Sequence, residues 1–173
     1  HEAHRGEQQI TVETSANELP CDNSNLAHRA ALLFLEALGV NSYQIRIHIM
    51  KNIPIAAGLA GGSTNAAAVF IAMNRLYGEP FSRRELETLG VSLGADIPFC
   101  IRKGTASARG IGEIMDTLPT VKNLPTVIAI DGESVSTPWA YRQIDTMALH
   151  PKYGFDAYLD AVRSKNTEQI IKS

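Results

Sequence analysis

The stretch Pro54-Ile55-Ala56-Ala57-Gly58-Leu59-Ala60-Gly61-Gly62-Ser63-Thr64-Asn65, which runs into Ala66-Ala67-Ala68, decides the fold of this chain. Three glycines fall within residues 58–62, and three residues with short polar side chains follow them. A glycine-rich turn that leads into a helix presents free N–H groups and the positive end of the helix dipole. This pattern is typical of an anion site, and phosphate is the usual anion. A flexible connector is the alternative, and the stretch alone does not decide between the two.

The stretch has neither of the two common phosphate-loop patterns. A Walker A loop carries a Lys after its last glycine, whereas Ser63 follows Gly62 here. The dinucleotide-binding spacing G-x-G-x-x-G is also missing from this region. A different kind of phosphate loop is therefore needed to explain the pattern.

Composition limits the classes of partner. The chain has 173 residues, of which 45% are hydrophobic and 20% charged, and this is ordinary for a globular protein with one real core. A net charge of −2 argues against nucleic acid as a partner. No apolar run reaches the ~18 residues that a membrane span needs, and no signal peptide is visible. Cys21 and Cys100 are expected to be free thiols, which indicates a reducing compartment.

Hydrophobic periodicity and turn residues predict a mixed α/β chain. Asn25 or Ser24 is expected to cap the first helix, Gly39 to end it, and Ser82 with Glu85 to form a capping box. Strands are predicted at 9–14, 43–49, 104–110 and 126–130, with a linker at 118–124. Helices are predicted at 26–38, 65–77, 82–93 and 155–162, and one more from residue 137. The helix at 65–77 is apolar nearly all round and is expected to lie in the core.

The glycine-rich stretch resembles the second motif of the GHMP kinases, whose members include galactokinase, homoserine kinase and mevalonate kinase. That motif reads Pro, three variable residues, Gly-Leu, small residues, Ser-Ser and then alanines. The matching positions are Pro54, Gly58, Leu59, Gly61, Gly62, Ser63, Asn65, Ala66 and Ala67. Thr64 stands where a second Ser is commoner and keeps the hydroxyl.

A second segment narrows the resemblance to one branch of the family. Leu93-Gly94-Ala95-Asp96-Ile97-Pro98-Phe99, followed by Gly104-Thr105-Ala106 and Gly110-x-Gly112-Glu113, is similar to the kinases of 4-diphosphocytidyl-2-C-methyl-D-erythritol in the non-mevalonate isoprenoid pathway. The resemblance implies an N-terminal domain of the ribosomal-protein-S5 type over 1–120 and the start of a C-terminal GHMP domain over 121–173. It also implies ATP and Mg²⁺, with phosphorylation of the substrate's 2-hydroxyl.

The resemblance assigns roles to individual residues. The ATP-binding residues would be Pro54, Gly58, Leu59, Ala60, Gly61, Gly62, Ser63, Thr64 and Asn65. Either Ser63 or Thr64 would offer a hydroxyl to a phosphate or to Mg²⁺. Asp96 would face the substrate hydroxyl in a dry pocket as the catalytic base or an orienting acceptor. Its local sequence alone favours a helix cap or a turn residue, and the resemblance reverses that preference. Tyr141 would stack on the cytosine and Thr137 would bind substrate nearby, with core packing as the alternative for Tyr141. Trp139 is expected to lie in the core.

Some parts of the family pattern are not found. They are a strand with a catalytic Lys and Asn, an Asp-Gly-Tyr-His segment and a C-terminal glycine-rich motif. We therefore expect a central fragment that lacks both ends and has little or no activity alone. Two alternatives stay open: another GHMP small-molecule kinase, of the homoserine or mevalonate type, and a non-catalytic nucleotide-binding fragment. The expected location is cytoplasmic, or the plastid stroma for a plant-type source, and the oligomeric state is not predicted.

Overall fold

A computed structural model describes residues 8–55, 57–122, 125–129, 136–147 and 154–172. The chain divides into two compact units, one of residues 1–103 with 108–115 and one of residues 104–107 with 116–173. The elements in order are β1 (Gln8–Thr14), α1 (Leu26–Leu38), β2 (Tyr43–Ile49), α2 (Gly61–Leu76), α3 (Arg83–Val91), α4 (Ile97–Arg102), β3 (Thr105–Arg109), β4 (Ile114–Leu118), α5 (Thr137–Thr146), α6 (Phe155–Arg163) and α7 (Thr167–Lys172).

The first unit is built on a β1–α1–β2 crossover. β1 and β2 pair in parallel, with Gln8 opposite Tyr43 and Thr14 opposite Ile49. Parallel neighbours need a long crossover connection, and α1 supplies it. Phe34 of α1 and Phe70 of α2 are fully buried in the core that these helices share with α3 and α4. This core fixes the N-terminal end of α2, where the glycine-rich stretch lies.

Local capping signals set the helix ends as predicted. The Asn25 side chain accepts a hydrogen bond of 2.9 Å from the Ala27 N–H, and Gly39 ends α1 in the left-handed conformation. Ser82 and Glu85 form the capping box of α3. These predictions are confirmed because each rests on contacts within four residues, which do not depend on the rest of the fold.

Helix α2 begins at Gly61, four residues before the predicted start at Asn65. The residue before it, Ala60, has a left-handed backbone with φ 50° and makes no side-chain cap hydrogen bond. Ser63, Thr64 and Asn65 are residue types that favour helix caps, but here they lie inside the helix and do not cap it. The prediction of a wholly buried helix is also wrong on one face, where Leu76 is 79% exposed.

The second unit differs more from the sequence-based prediction. Leu118, Leu159 and Val162 form its small core, and β3 pairs with β4 in a two-stranded sheet. Of the strand predicted at 126–130, residues 126–129 are described and have no regular structure, and Val127 is 95% exposed. That prediction is wrong for those residues, and within the described part of the chain no strand pairs with them. Trp139, expected in the core, is 52% exposed. The short elements α4, β4 and α7 were not predicted.

Within the described ranges, no helix is long and apolar enough to cross a membrane. Both cysteines are free thiols, as predicted.

Candidate functional site

The N-terminal turn of α2 presents unpaired backbone donors. The Thr64 N–H closes the first helical hydrogen bond, at 2.9 Å from the Ala60 carbonyl oxygen. The N–H groups of residues 61–63 come before that bond and donate to no described residue. Because the helix dipole adds its positive end at the same place, this turn can hold an anion. The glycine-rich stretch therefore forms a helix start rather than a long loop.

The two hydroxyls of this turn are not equivalent. Thr64 Oγ1 donates to the Ala60 carbonyl oxygen at 2.9 Å and lies 3.6 Å from Cys100 Sγ. The Ser63 hydroxyl has no hydrogen bond to a described residue. Ser63 can therefore donate to a ligand without breaking an existing bond, whereas Thr64 cannot.

Lys51 is a candidate site residue that the sequence analysis missed. A Cβ atom built on Gly61 would lie 2.5 Å from Lys51 Nζ and 3.2 Å from Ile53 Cγ2, so the ammonium group packs directly against the Gly61 backbone. No described carboxylate forms an ion pair with it. An ammonium group beside a helix N-terminus is unfavourable unless an anion sits between them. The signal that could have identified Lys51 was its position between β2 and Pro54, three residues before the glycine-rich motif.

The other predicted nucleotide residues spread around this turn. Gly62 packs close to Leu26, because a Cβ there would lie 3.3 Å from Leu26 Cδ1. Pro54 lines an open cavity of about 430 Å³ together with Lys51 and Glu18. Asn65 faces elsewhere and lines a cavity of about 340 Å³ between β2 and α2. The structure therefore places Gly61 and Pro54 beside Lys51, whereas Gly62 packs on Leu26 and Asn65 lines the cavity next to the sheet.

Gly58 and Leu59 form the turn that leads to Ala60. Gly58 has a φ of 69°, and the Leu59 side chain is exposed.

Asp96 occupies the residue before α4, but its side chain makes no cap hydrogen bond. The residue is exposed, and its carboxylate has no hydrogen bond or ion pair to a described residue. The expectation of a dry pocket around Asp96 is therefore wrong for this structure, and a side-chain cap does not explain the residue either.

Helix α4 connects Asp96 to the first turn of α2. The Cys100 N–H donates to the Asp96 carbonyl oxygen at 3.1 Å, and the Cys100 thiol touches Thr64 at 3.6 Å. Asp96 therefore lies about one helical turn, about 5–6 Å along the axis, from the residue that contacts α2. The start of α4 thus carries an unpaired carboxylate, and α4 packs on α2, whose first turn can hold an anion.

The predicted substrate residues lie in the second unit. Thr137 is the first residue of α5, and its side chain lies outside the described part of the structure. Tyr141 follows on α5 and is 66% exposed, so core packing does not account for it.

No cluster of three or more His, Cys, Asp or Glu side chains that could hold a metal ion occurs in the described residues. Mg²⁺ commonly binds through one or two protein oxygens together with substrate phosphates and water. The Ser63 hydroxyl fits that kind of site, in which the metal arrives with the nucleotide.

Comparisons with known proteins show which proteins this chain is similar to. The family model described as GHMP kinases N terminal domain matches residues 25–104. A protein from Caldicellulosiruptor saccharolyticus is 42% identical over 167 residues, which are 96% of this chain and 57% of the relative. A protein from Alkaliphilus metalliredigens is 43% identical over 159 residues, 92% of this chain and 54% of the relative. Both are named 4-diphosphocytidyl-2-C-methyl-D-erythritol kinase.

Two solved structures are also similar. A crystal structure of 4-(cytidine 5'-diphospho)-2C-methyl-D-erythritol kinase is 35% identical with a TM-score of 0.66, over 91% of this chain and 56% of that one. Homoserine kinase from Cytophaga hutchinsonii has a TM-score of 0.71 at 18% identity, over 98% of this chain and 59% of that one, and this likeness concerns the fold alone. The chain spans a little over half the length of the relatives it matches. Residues 25–104 are therefore similar to the N-terminal domain of the GHMP kinases.

Proposed function

We propose that this chain is part of a kinase that transfers the γ-phosphate of ATP to the 2-hydroxyl of 4-diphosphocytidyl-2-C-methyl-D-erythritol, in the non-mevalonate isoprenoid pathway. One observation carries the proposal: the Lys51 ammonium group lies against the open N-terminus of α2, and the helix that follows Asp96 packs on the same turn. Cationic and backbone donors at a helix start, with an unpaired carboxylate at the start of a neighbouring helix, are the kinds of group that phosphoryl transfer needs.

The catalytic work divides between two sets of groups. The N–H groups of residues 61–63, the Ser63 hydroxyl and the Lys51 ammonium group would hold the ATP phosphates and oppose the charge that develops during transfer. Asp96 would accept the proton of the attacking hydroxyl, since its carboxylate has no described partner to compete for that proton. Mg²⁺, when bound with ATP, would neutralise phosphate charge next to Ser63.

The substrate class is inferred from the relatives and from α5. The names of two relatives and one solved structure all specify a cytidine-bearing alcohol. Tyr141 supports this choice because an exposed aromatic face can stack on a base for about 1–3 kcal/mol. Thr137, one turn earlier, would add a polar contact. We propose a cytoplasmic enzyme with a small-molecule substrate and with neither nucleic acid nor membrane as a partner.

The nucleotide part of the proposal is tested on the 173-residue chain by calorimetric titration with ATP and Mg²⁺. Lys51→Met is expected to weaken ATP about 10- to 100-fold, because a hydrogen bond to a charged group is worth about 1.5–3 kcal/mol. Lys122→Met, which removes an exposed lysine of the second unit, should leave the affinity unchanged. Equal affinities for the Lys51 variant and the unchanged chain would overturn the assignment.

The chemical part is tested in a chimera in which this chain replaces its matching segment of the Caldicellulosiruptor saccharolyticus relative. We expect phosphorylation of 4-diphosphocytidyl-2-C-methyl-D-erythritol and not of homoserine or mevalonate. Transfer to homoserine or mevalonate would favour the other GHMP kinase class. ATP binding without transfer to any of the three alcohols would favour the non-catalytic alternative.

A further inference from the structure

The turn at residues 110–113 packs against the backbone of the residue before Asp96. A Cβ atom built on Gly112 would lie 2.7 Å from the Ala95 carbonyl oxygen and 3.6 Å from Ala95 Cβ. Gly112 also has a φ of 115°, a conformation that side-chain-bearing residues rarely adopt. Both facts explain why glycine is needed where this turn packs against Ala95. Gly112 and Asp96 are 16 residues apart along the chain.

The turn is held rigid by its own hydrogen bonds. The Glu113 carboxylate accepts from the Ile111 N–H at 2.8 Å, and the Gly112 N–H donates to the Arg109 carbonyl oxygen at 3.1 Å. The same carboxylate lies against the Gly110 backbone. The Glu113 side chain therefore stabilises the shape of the turn that meets Ala95.

A buried ion pair anchors the base of this turn to the helices. Arg102, the last residue of α4, donates to both carboxylate oxygens of Glu87 on α3, at 3.0 and 2.6 Å, and Glu87 is only 6% exposed. Another guanidinium N–H donates to the Met115 carbonyl oxygen at 2.7 Å. The turn is therefore fixed at its base by Arg102 and at its tip by Glu113.

We propose that the Gly110–Glu113 turn is a positioning element for Asp96, and that Gly112 sets the distance between this turn and the Ala95–Asp96 backbone. The inference rests on the proposed function, in which Asp96 accepts the proton of the substrate hydroxyl. The Asp96 side chain has no hydrogen bond of its own to a described residue. Its direction consequently depends on the backbone that carries it, and that backbone is supported from one side by Gly112.

A methyl group at position 112 would push the turn and the Ala95 backbone apart. Ordinary contact begins near 3.4 Å, so the 2.7 Å approach to the Ala95 oxygen must open by about 0.7 Å. Because the turn is anchored at both ends, the displacement falls mainly on Ala95 and Asp96. A misplacement of this order, about 1 Å, can cost roughly 10²-fold in rate. We therefore expect Gly112→Ala to lower kcat about 10- to 100-fold in the chimera, with the KM for ATP unchanged within about twofold.

The matched control is Gly78→Ala. Gly78 also has a positive φ, 79°, but no atom lies within 4 Å of the position that its Cβ would take. An alanine there carries the cost of a left-handed backbone without touching Asp96. We expect this variant to lose stability and keep kcat.

A second pair of variants tests the tip of the turn. Glu113→Gln keeps an oxygen acceptor for the Ile111 N–H and should preserve kcat, whereas Glu113→Ala should lower kcat.

A measurement that needs no turnover separates this inference from the proposed function. In nitrogen-15 correlation spectra of the 173-residue chain, Gly112→Ala should move the amide resonances of Ala95 and Asp96, and Gly78→Ala should not. Unmoved Asp96 resonances, or equal kcat for the Gly112 and Gly78 variants, would overturn the inference. If Gly112→Ala does not fold, the Glu113 pair decides in the same way. If the resonances move in the 173-residue chain but the chimera transfers no phosphate, the proposed function is refuted and, with it, the catalytic consequence.

Discussion

Gly61→Ala tests the geometry of the proposed phosphate site most directly. The new Cβ would lie 2.5 Å from Lys51 Nζ, whereas ordinary contact begins near 3.4 Å, so the ammonium group must retreat by about 0.9 Å. Nζ is the end of a flexible side chain, and Ile53 Cγ2, at 3.2 Å, needs to move by only a few tenths of an ångström. Alanine is also a better helix former than glycine, by up to about 1 kcal/mol. The melting temperature should therefore stay the same or rise.

The expected loss of ATP affinity follows from Coulomb's law. With an effective dielectric constant of about 20, moving an ammonium group from about 4 to about 5 Å from a phosphate charge costs about 0.8 kcal/mol. That is about fourfold in affinity for one phosphate charge and about 15-fold for two. Calorimetric titration with ATP and Mg²⁺ measures it, and a melting curve on the same sample checks the fold.

A double-mutant cycle identifies the route of the effect. If Gly61→Ala acts by displacing the ammonium group, it should have no further effect in a Lys51→Met background. An equal loss in both backgrounds would mean that the methyl group blocks the phosphate itself, and the displacement reasoning would be refuted. If Gly61→Ala leaves the affinity unchanged in the chain that keeps Lys51, and the fold is preserved, ATP does not bind at this turn.

Asp96→Asn in the chimera should lower kcat by about 10²–10⁴-fold with little change in the KM for ATP, because the phosphates are held by α2 rather than by the carboxylate; a near-normal rate in steady-state kinetics would exclude Asp96 as the base. Tyr141→Ala should raise the KM for the cytidine substrate while leaving ATP affinity unaltered, and equal weakening of both ligands would contradict a stacking role. Hydrogen bonds from the Ser82 hydroxyl and backbone N–H lower the pKa of the Glu85 carboxyl. The contribution of this capping box to stability should accordingly be fully present above the pKa that Glu85 has in the unfolded chain. It should be lost as the pH falls through the lower pKa that Glu85 has in the folded chain. Glu85→Gln should flatten melting temperature against pH in that acidic range, and a profile unchanged from the unsubstituted chain would show that the box does not contribute.

The sequence by itself determined the features that depend on near neighbours along the chain. The alternation of Tyr43, Ile45, Ile47 and Ile49 predicts β2 because a strand turns successive side chains to opposite faces. Asn25 and Ser82 mark helix starts because a cap bonds a backbone N–H two or three residues ahead. The order of the glycine motif and the Asp96 segment was sufficient to indicate a resemblance to the GHMP kinases, which the comparisons confirm.

Only the tertiary structure decided how distant segments meet. Residues 126–129 read as a strand, but a strand forms only where a partner supplies hydrogen bonds, and sequence alone does not reveal that partner. Lys51 joins the candidate site because its ammonium group packs on Gly61, and Gly112 supports Ala95 across a gap of 17 residues in sequence. Such contacts depend on packing between elements that are far apart along the chain, and no local pattern specifies them.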